Sequence, residues 1–328
     1  MKLTTCEVPG RGGQRFLGAL TGDGLWVDLN AAAVAARSRT PLPETMIELL
    51  AGGSKTMAAA KAALRHVEER LRKEKPEAIR GAARTRLVYR RKELRLLAPV
   101  PRPGKIIHTA VNFGHHLKEL TTWKAPEWRA HKWENFHYEH PTGFLQAPSA
   151  VVGTDARIIR PRFTKQLDYE IELAIIIGRR GRYIPQEEAL GHVGGYCVFN
   201  DVSARDIQAR EHANKVILLG KSFDTSAPLG PYLVTPDELP DPQHLDMEMR
   251  VNGQVRQKAS TSEMRYKIRD LVSWWSNITL EPGDVITSGS PAGVAAGMDV
   301  PRWLEPGDRI EATIQGIGTL VNIVADDQ

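Results

Sequence analysis

The stretch Tyr169–Ile177, YEIELAIII, constrains this chain more than any other. Its second half is continuously apolar and closed by Gly178, which suits a strand buried on both faces. Its first half carries Glu170 and Glu172, two residues apart. Side chains alternate along a strand, so both carboxylates project from one face. Two like charges beside a buried strand are too costly to keep without a neutralising partner. A divalent cation is the obvious partner, and oxygen ligands alone favour Mg²⁺, Mn²⁺ or Ca²⁺ over Zn²⁺. The plain alternative is an exposed Glu-x-Glu pair on an edge strand, and the apolar continuation argues against it.

A third carboxylate is available at Asp201, where the predicted strand Gly195–Phe199 gives way to a helix over Ser203–Ala213. Ser203 and Asp206 there match a capping box. Asp201 is also open to a simpler reading as turn chemistry. Along the helix, Arg205, Gln208 and His212 step by three and four and so share a face. Arg205 suits a carboxylate or an enolate oxygen; a solvated polar face is the plain alternative. His116 and Glu119 stand at i and i+3 in a predicted helical turn, Gly114–Glu119, where a carboxylate can fix an imidazole's tautomer. His115 competes for the same role. Lys221, in GKSFDTSAPLGP, reads either as a fixed cation over an oxyanion or as an ordinary surface lysine. Ser290 lies in TSGSPAGV, a Gly- and Ser-rich loop of the kind that approaches ligands closely. That loop lacks the lysine of a P-loop, and no GxSxG elbow occurs in the chain.

The 328 residues are 41% hydrophobic and 25% charged, which excludes a disordered, collagen-like or coiled-coil chain. Residues 1–100 read as a smaller leading domain. It has short strands at Phe16–Leu20 and Gly24–Leu29 and helices at Pro43–Leu50 and Met57–Lys73, the latter ended by Pro76. Prolines 99, 101 and 103 mark a boundary, and residues 101–328 are mostly β. Asn252-Gly253 joins Met247–Val251 to Val255–Gln257 as a hairpin. LEPGD occurs twice, before strands at Val285–Ser288 and Arg309–Gln315. A second helix is expected at Ser262–Trp275.

The net charge of +5 is local, since residues 61–105 alone carry +10. That stretch has one aromatic residue, Tyr89, so it reads as a solvated helix and linker, not a nucleic-acid face. Two cysteines, Cys6 and Cys197, make no disulfide framework. Without an apolar leader or a membrane span, a cytoplasmic protein is expected. Six of the ten histidines and three of the seven tryptophans fall within 108–140. The segment Leu120–Pro141 there reads as a lid, an interface or a packed excursion.

Taken in order, LAPVPRPGKII, VNFGHHLKE, DYEIELAIIIG, GGYCVFNDVSARDIQ, LGKSFDTSAPLGP, VNGQVRQ, LEPGDVITSGSPAGV and LEPGDRIEATIQGIGTLVN resemble the fumarylacetoacetate hydrolase family, from about Leu97 to Ala325. The resemblance implies an α+β, mostly β fold: a mixed β-sandwich roll over 101–328, preceded by a smaller domain over 1–100. It implies a homodimer that binds neither nucleic acid nor membrane. It assigns Mg²⁺ or Mn²⁺, with Ca²⁺ as a substitute, to Glu170, Glu172 and Asp201. Asn112–Glu119 matches the family's N-Y-x-x-H-x-x-E, with Phe113 for Tyr, which selects His116 and Glu119 as the catalytic pair over His115. Lys221 is implied as a catalytic cation, Arg205 and Gln208 as substrate residues, and Ser290 as the replacement for a family Thr.

The chain departs from the family in two places. Gln146 stands where the family often has the Lys of F-x-K-P, and the 120–141 segment is longer than in compact members. Both bear on substrate choice. The implied activity is hydrolysis of the C–C bond of a β-dicarbonyl 2-oxo acid, acylpyruvate- or fumarylacetoacetate-like, in aromatic-compound or amino-acid catabolism. The alternative is decarboxylation, isomerisation or hydration of an oxaloacetate-like or dienoic 2-oxo acid. A non-catalytic ligand-binding relative would be expected to lack the His–Glu pair or a carboxylate, and all are present.

Overall fold

The computed structural model describes residues 1–10, 12–123, 128 and 139–327. Its centre is the strand Ile171–Ile177, buried at every residue. The pleat divides that strand between two cores. Ile171, Leu173, Ile175 and Ile177 enter one, while Ala174 and Ile176 enter the other. Antiparallel neighbours flank it on both edges, Val193–Asn200 and Val285–Thr287. Beyond Val285–Thr287 the sheet continues through Ile106–Thr109, in parallel, to Gly143–Gln146. Beyond Val193–Asn200 come Ala227–Val234 and then the leading strands Lys2–Glu7, Arg15–Leu20, Trp26–Asp28 and Val88–Tyr89.

The first hundred residues therefore extend the large sheet edge to edge, with Lys2 opposite Val234 and Leu3 opposite Leu233. One apolar core runs across the boundary, holding Leu17 and Leu64 together with Ile176, Phe199 and Val285. Helix Gly53–Leu71 covers it with Ala60, Ala63, Leu64 and Val67, the three-and-four spacing of a one-faced helix. A second sheet of five strands, Gln254–Ser260, Asp246–Val251, Arg309–Ile314, Gly318–Asp326 and Arg157–Arg160, packs on the other face. Met247, Met249, Ile310 and Ile314 meet Leu173 and Ile175 there. The fold is mostly β with a minority of helix, as the resemblance implies.

Among the expected elements whose bounds differ, three bear on the site. The helix at Ser203–Ala213 starts at Arg205, because Ser203–Ala204 pairs with Leu167–Asp168 as a short ladder. No capping box forms there: the Ser203 hydroxyl donates to the Asp201 carbonyl, and Asp206 accepts from Thr164 and from the Lys165 N–H. The helix expected over Ser262–Trp275 is a single turn, Thr261–Glu263, followed by Ile268–Trp275. Glu263 closes the first turn onto the Ser260 N–H, and Asp270 starts the second unit by accepting from the Lys267 N–H. The strand expected from Tyr169 begins at Ile171, which leaves Glu170 at its mouth.

Within the basic stretch Arg70 pairs with Glu74, Arg86 with Glu93 and Arg90 with Glu77, while Arg91 reaches Asp155 outside it, the behaviour of a solvated surface. No helix among the described residues is long and apolar enough to cross a membrane.

If the two cores meet along one strand, Ile175→Ala destabilises the protein by about 2–5 kcal/mol in urea unfolding. Val300→Ala, at a 77% exposed position, changes stability by less than about 0.5 kcal/mol.

Candidate active site

The candidate site forms where the central strand begins. The Asp201 N–H donates to the Glu170 carbonyl at 2.8 Å, and the Glu170 N–H donates to Asn200 Oδ1 at 3.0 Å. These two bonds set the mouths of adjacent strands side by side, so Glu170, Glu172 and Asp201 converge. Helix Arg205–Ala213 follows at once and buries Arg205 and Gln208. Lys221 arrives on a loop whose Gly220 packs against that helix; a Cβ on Gly220 would lie 2.8 Å from Gln208 Cα. A side chain there would push Lys221 away from the cluster.

The Lys221 ammonium donates to Glu170 Oε2 at 2.6 Å and to Asp201 Oδ2 at 2.5 Å. The Arg205 guanidinium donates three ways: Nη2 to Glu170 Oε1 at 2.6 Å, Nε to Asp168 Oδ2 at 2.9 Å and Nη1 to Gln208 Oε1 at 2.9 Å. Asp168 is held in turn by the Ala295 and Ala296 N–H groups. The Gly289 N–H donates to Glu172 Oε2 at 3.1 Å.

Across the cavity, His116 Nδ1 lies 2.9 Å from Glu119 Oε2. A carboxylate only accepts, so Nδ1 carries the hydrogen and Nε2 is left as the reactive nitrogen. Glu119 is fixed from behind by the Gly293 N–H at 2.8 Å. A Cβ on Gly297 would lie 2.1 Å from Glu119 Oε1, so that glycine leaves room for the carboxylate. The turn before this helix holds Val111 at φ +52, a conformation that costs a β-branched residue of order 1–3 kcal/mol. Asn112 secures the turn by donating to the Tyr266 and Ser288 carbonyls and accepting from the Tyr266 N–H.

The structure thus gathers Glu170, Glu172, Asp201, Lys221, Arg205, Gln208, His116 and Ser290 around one cavity of about 70 Å³, with Glu119 one step behind. Ser290 presents its hydroxyl to Gln257, which donates to it at 2.9 Å. His115, the rival of His116, is exposed. Gln146 does not line the cavity. It is buried behind it, bonded to His108, to the Lys221 carbonyl and to Ser226.

His108 and Asp168 belong to the cluster and were not among the expected residues. Asp168 opens the motif DYEIE, so its place beside Glu170 was a usable signal. His108 carried none beyond its place at the end of an apolar strand. Of the proposed lid, most of 124–138 lies outside the described residues. Trp123 and Trp128 are described, buried, and packed edge to face at 4.8 Å, with the Arg205 guanidinium over Trp123 at 5.2 Å.

Charge defines what the cluster can hold. Asp168, Glu170, Glu172 and Asp201 are four buried carboxylates, and Arg205 and Lys221 are the two permanent cations among them. Burial raises the Glu172 carboxyl well above its usual range, and the Asp201 and Glu170 charges raise it further. Asp201 is also raised by burial, against the pull of His108 and Lys221. Burial acts on Glu170 in the same sense, but Arg205 and Lys221 together hold it well below the carboxylate range. Burial lowers the His108 imidazole, against the Asp201 charge that would raise it. Asp201 Oδ1 is buried without a hydrogen-bond partner. Fully ionised, the four carboxylates would outweigh the two cations by two charges; that excess and an unpartnered carboxylate oxygen fit a divalent cation, and the donor atoms that lie within 4.8 Å of one another are those of His108, Glu172 and Asp201, with Glu170 held alongside by Arg205 and Lys221.

Residues 105–325 match the family model described as fumarylacetoacetate (FAA) hydrolase, C-terminal. The mitochondrial oxaloacetate tautomerase FAHD2A of Bos taurus is 37% identical over 327 residues, covering 99% of this chain and 91% of that protein. Oxaloacetate tautomerase YisK of Bacillus subtilis is 37% identical over 325 residues, covering 98% of this chain and 99% of its own. Among solved structures, maleylpyruvate hydrolase of Sphingobium sp. SYK-6, in complex with manganese (II) ion and pyruvate, shares 28% identity, full coverage of both chains and a TM-score of 0.73.

The charge argument yields a test on the metal-free protein. Burial among Asp201 and Glu170 makes Glu172 take up a proton on folding at neutral pH, and Glu172→Gln removes that cost, so the melting temperature without metal rises. The same change removes a ligand, so the stabilisation by Mn²⁺ (about 2.7 kcal/mol at a hundredfold excess over Kd) is largely lost. Thermal melts with EDTA and with Mn²⁺ check both directions.

Proposed function

The chain belongs to the fumarylacetoacetate hydrolase family, and on that premise we propose that it interconverts the keto and enol forms of a small 2-oxo dicarboxylate of the oxaloacetate class at a bound Mg²⁺ or Mn²⁺. The observation that carries this reading is the pairing, in one cavity of about 70 Å³, of a carboxylate cluster with the His116 imidazole that Glu119 orients. Two relatives matched over nearly the whole chain carry the name oxaloacetate tautomerase, which moves the weight from C–C cleavage to proton transfer.

Glu170, Glu172 and Asp201 would hold the cation. When bound, it would polarise the 2-oxo group and stabilise negative charge on that oxygen. In the keto-to-enol direction, His116 Nε2 removes a proton from C3, and the C–H electron pair moves toward the C2 oxygen. The proton then returns to that oxygen, and the reverse order gives the keto form. Glu119 holds the imidazole in the tautomer that can accept, and it faces the charge that develops on the ring. Lys221 has three donors and spends two on Glu170 and Asp201, leaving one for the oxygen. Arg205 is engaged on three sides, so it orients Glu170 and Gln208 instead of moving toward substrate. Phe144, Leu120, Trp123 and Trp128 wall the cavity and limit competing water.

A second reading, C–C hydrolysis of an acylpyruvate-like acid, draws on the same dyad, since an oriented imidazole also activates water. The maleylpyruvate hydrolase likeness favours it.

Enol decay of oxaloacetate, followed by ultraviolet absorbance with Mn²⁺ present, is expected to accelerate with the wild-type protein. His116→Ala should slow it by about 10²–10⁴-fold with Mn²⁺ affinity unchanged, and Glu119→Gln should slow it less. If the wild type cleaves an acylpyruvate but leaves oxaloacetate exchange at the uncatalysed rate, hydrolysis takes first place.

A further inference from the structure

His108 is buried and unused by the chemistry above, yet it stands at the cluster. Its Nδ1 lies 3.3 Å from Asp201 Oδ2 and 3.9 Å from Glu172 Oε2. Its ring stacks face to face on Phe144, with centroids 4.6 Å apart and planes 3° from parallel, which fixes its orientation.

Gln146 settles which nitrogen carries the hydrogen. The Gln146 amide NH₂ faces the Lys221 carbonyl and the Ser226 hydroxyl. A backbone carbonyl only accepts, so the amide nitrogen must be on that side and Oε1 on the other. Oε1 lies 2.9 Å from His108 Nε2 and accepts from it. Nε2 therefore carries a hydrogen, and in the neutral ring the Nδ1 lone pair is directed at the acidic cluster. Thr287 Oγ1, 3.2 Å from Nδ1, is the hydroxyl that meets this lone pair in the metal-free protein. A lone pair facing two carboxylates is repulsive unless a cation lies among them.

We infer that His108 supplies Nδ1 as a nitrogen donor to the cation held by Glu172 and Asp201, with Gln146 as the positioning residue that sets its tautomer. This inference rests on the divalent-cation reading of the same carboxylates and adds a donor of a different chemical class. An imidazole added to a carboxylate set shifts preference toward first-row transition ions and away from Mg²⁺ and Ca²⁺. Mn²⁺ and Co²⁺ thereby become better occupants than Mg²⁺. Gln146 is then part of the metal's selectivity, although it touches neither metal nor substrate.

Pulsed EPR on the full chain loaded with Mn²⁺ reads this without any activity measurement. Histidine-selective ¹⁵N labelling separates ring nitrogens from backbone. A coupling to one imidazole nitrogen is expected in the wild type, retained in His116→Ala and lost in His108→Ala. Gln146→Lys places a donor-only ammonium opposite Nε2, moves the ring hydrogen to Nδ1 and abolishes the coupling with His108 still in place. By calorimetry, His108→Ala should weaken Mn²⁺ and Co²⁺ by about 10–100-fold, and Mg²⁺ by no more than roughly threefold, since Mg²⁺ prefers oxygen ligands. Tight Mn²⁺ binding with no histidine coupling in the wild type would overturn the inference and leave the carboxylate site standing. Failure of Mn²⁺ to bind at all would overturn the carboxylate reading, and this inference with it.

Discussion

A lysine ammonium bridges two buried carboxylates at 2.6 and 2.5 Å, and most of the structure around it serves to keep that arrangement in place. Lys221, Glu170 and Asp201 are drawn from three separate segments. Their contact is favourable only because water is largely excluded, and it is tolerable because most of the remaining polar atoms are met by other groups. Arg205 completes Glu170, Asp168 completes Arg205, and the Ala295 and Ala296 N–H groups complete Asp168. The chain of satisfaction stops at Asp201 Oδ1 and at Glu172, whose ionised form its neighbours oppose. With all four carboxylates ionised, the two cations would leave two negative charges, which one divalent cation would balance.

The scaffold explains why such a cluster can persist. The two cores meet on opposite faces of Ile171–Ile177, so the strand cannot slip without exposing apolar side chains from both. A register error of one residue would also turn Glu172 away from Asp201. The leading strands lengthen the same sheet and seal the second core, while the residues that line the cavity all come from His108 onward. The opposite wall carries the His116–Glu119 pair on a short helix, Gly114–Leu120, anchored through Asn112 and Glu119 to loops of the other wall. Cation cluster and imidazole are thus fixed relative to one another by side-chain bonds that cross the cavity's rim.

Much of the site was legible because its geometry is local. Glu170 and Glu172 follow from the period of a strand, His116 and Glu119 from the rise of a helix, and Arg205 and Gln208 from one helix face. Asp201 and Lys221 needed the family resemblance, since nothing local distinguishes them from turn and surface residues. Ser203 was misread because an S-x-x-D pattern does not reveal that Ser203–Ala204 is claimed by a ladder with Leu167–Asp168. Gln146 was read as facing substrate because the lysine it replaces suggested a charged role. Its actual partners, His108 and the Lys221 carbonyl, lie 38 and 75 positions away in sequence. The pairing of Lys2–Glu7 with Ala227–Val234 was hidden for the same reason.

The claim on which the rest depends is that Glu172 is held protonated in the metal-free cluster and gives up its proton when a divalent ion enters. Calorimetric titration of the metal-free protein with Mn²⁺ at pH 7, repeated in buffers of different ionisation enthalpy, counts the protons released on binding. The account predicts tight binding with release of about one proton per ion. Tight binding with no proton released would mean that the three carboxylates are already ionised together, and the charge argument for the site would be wrong.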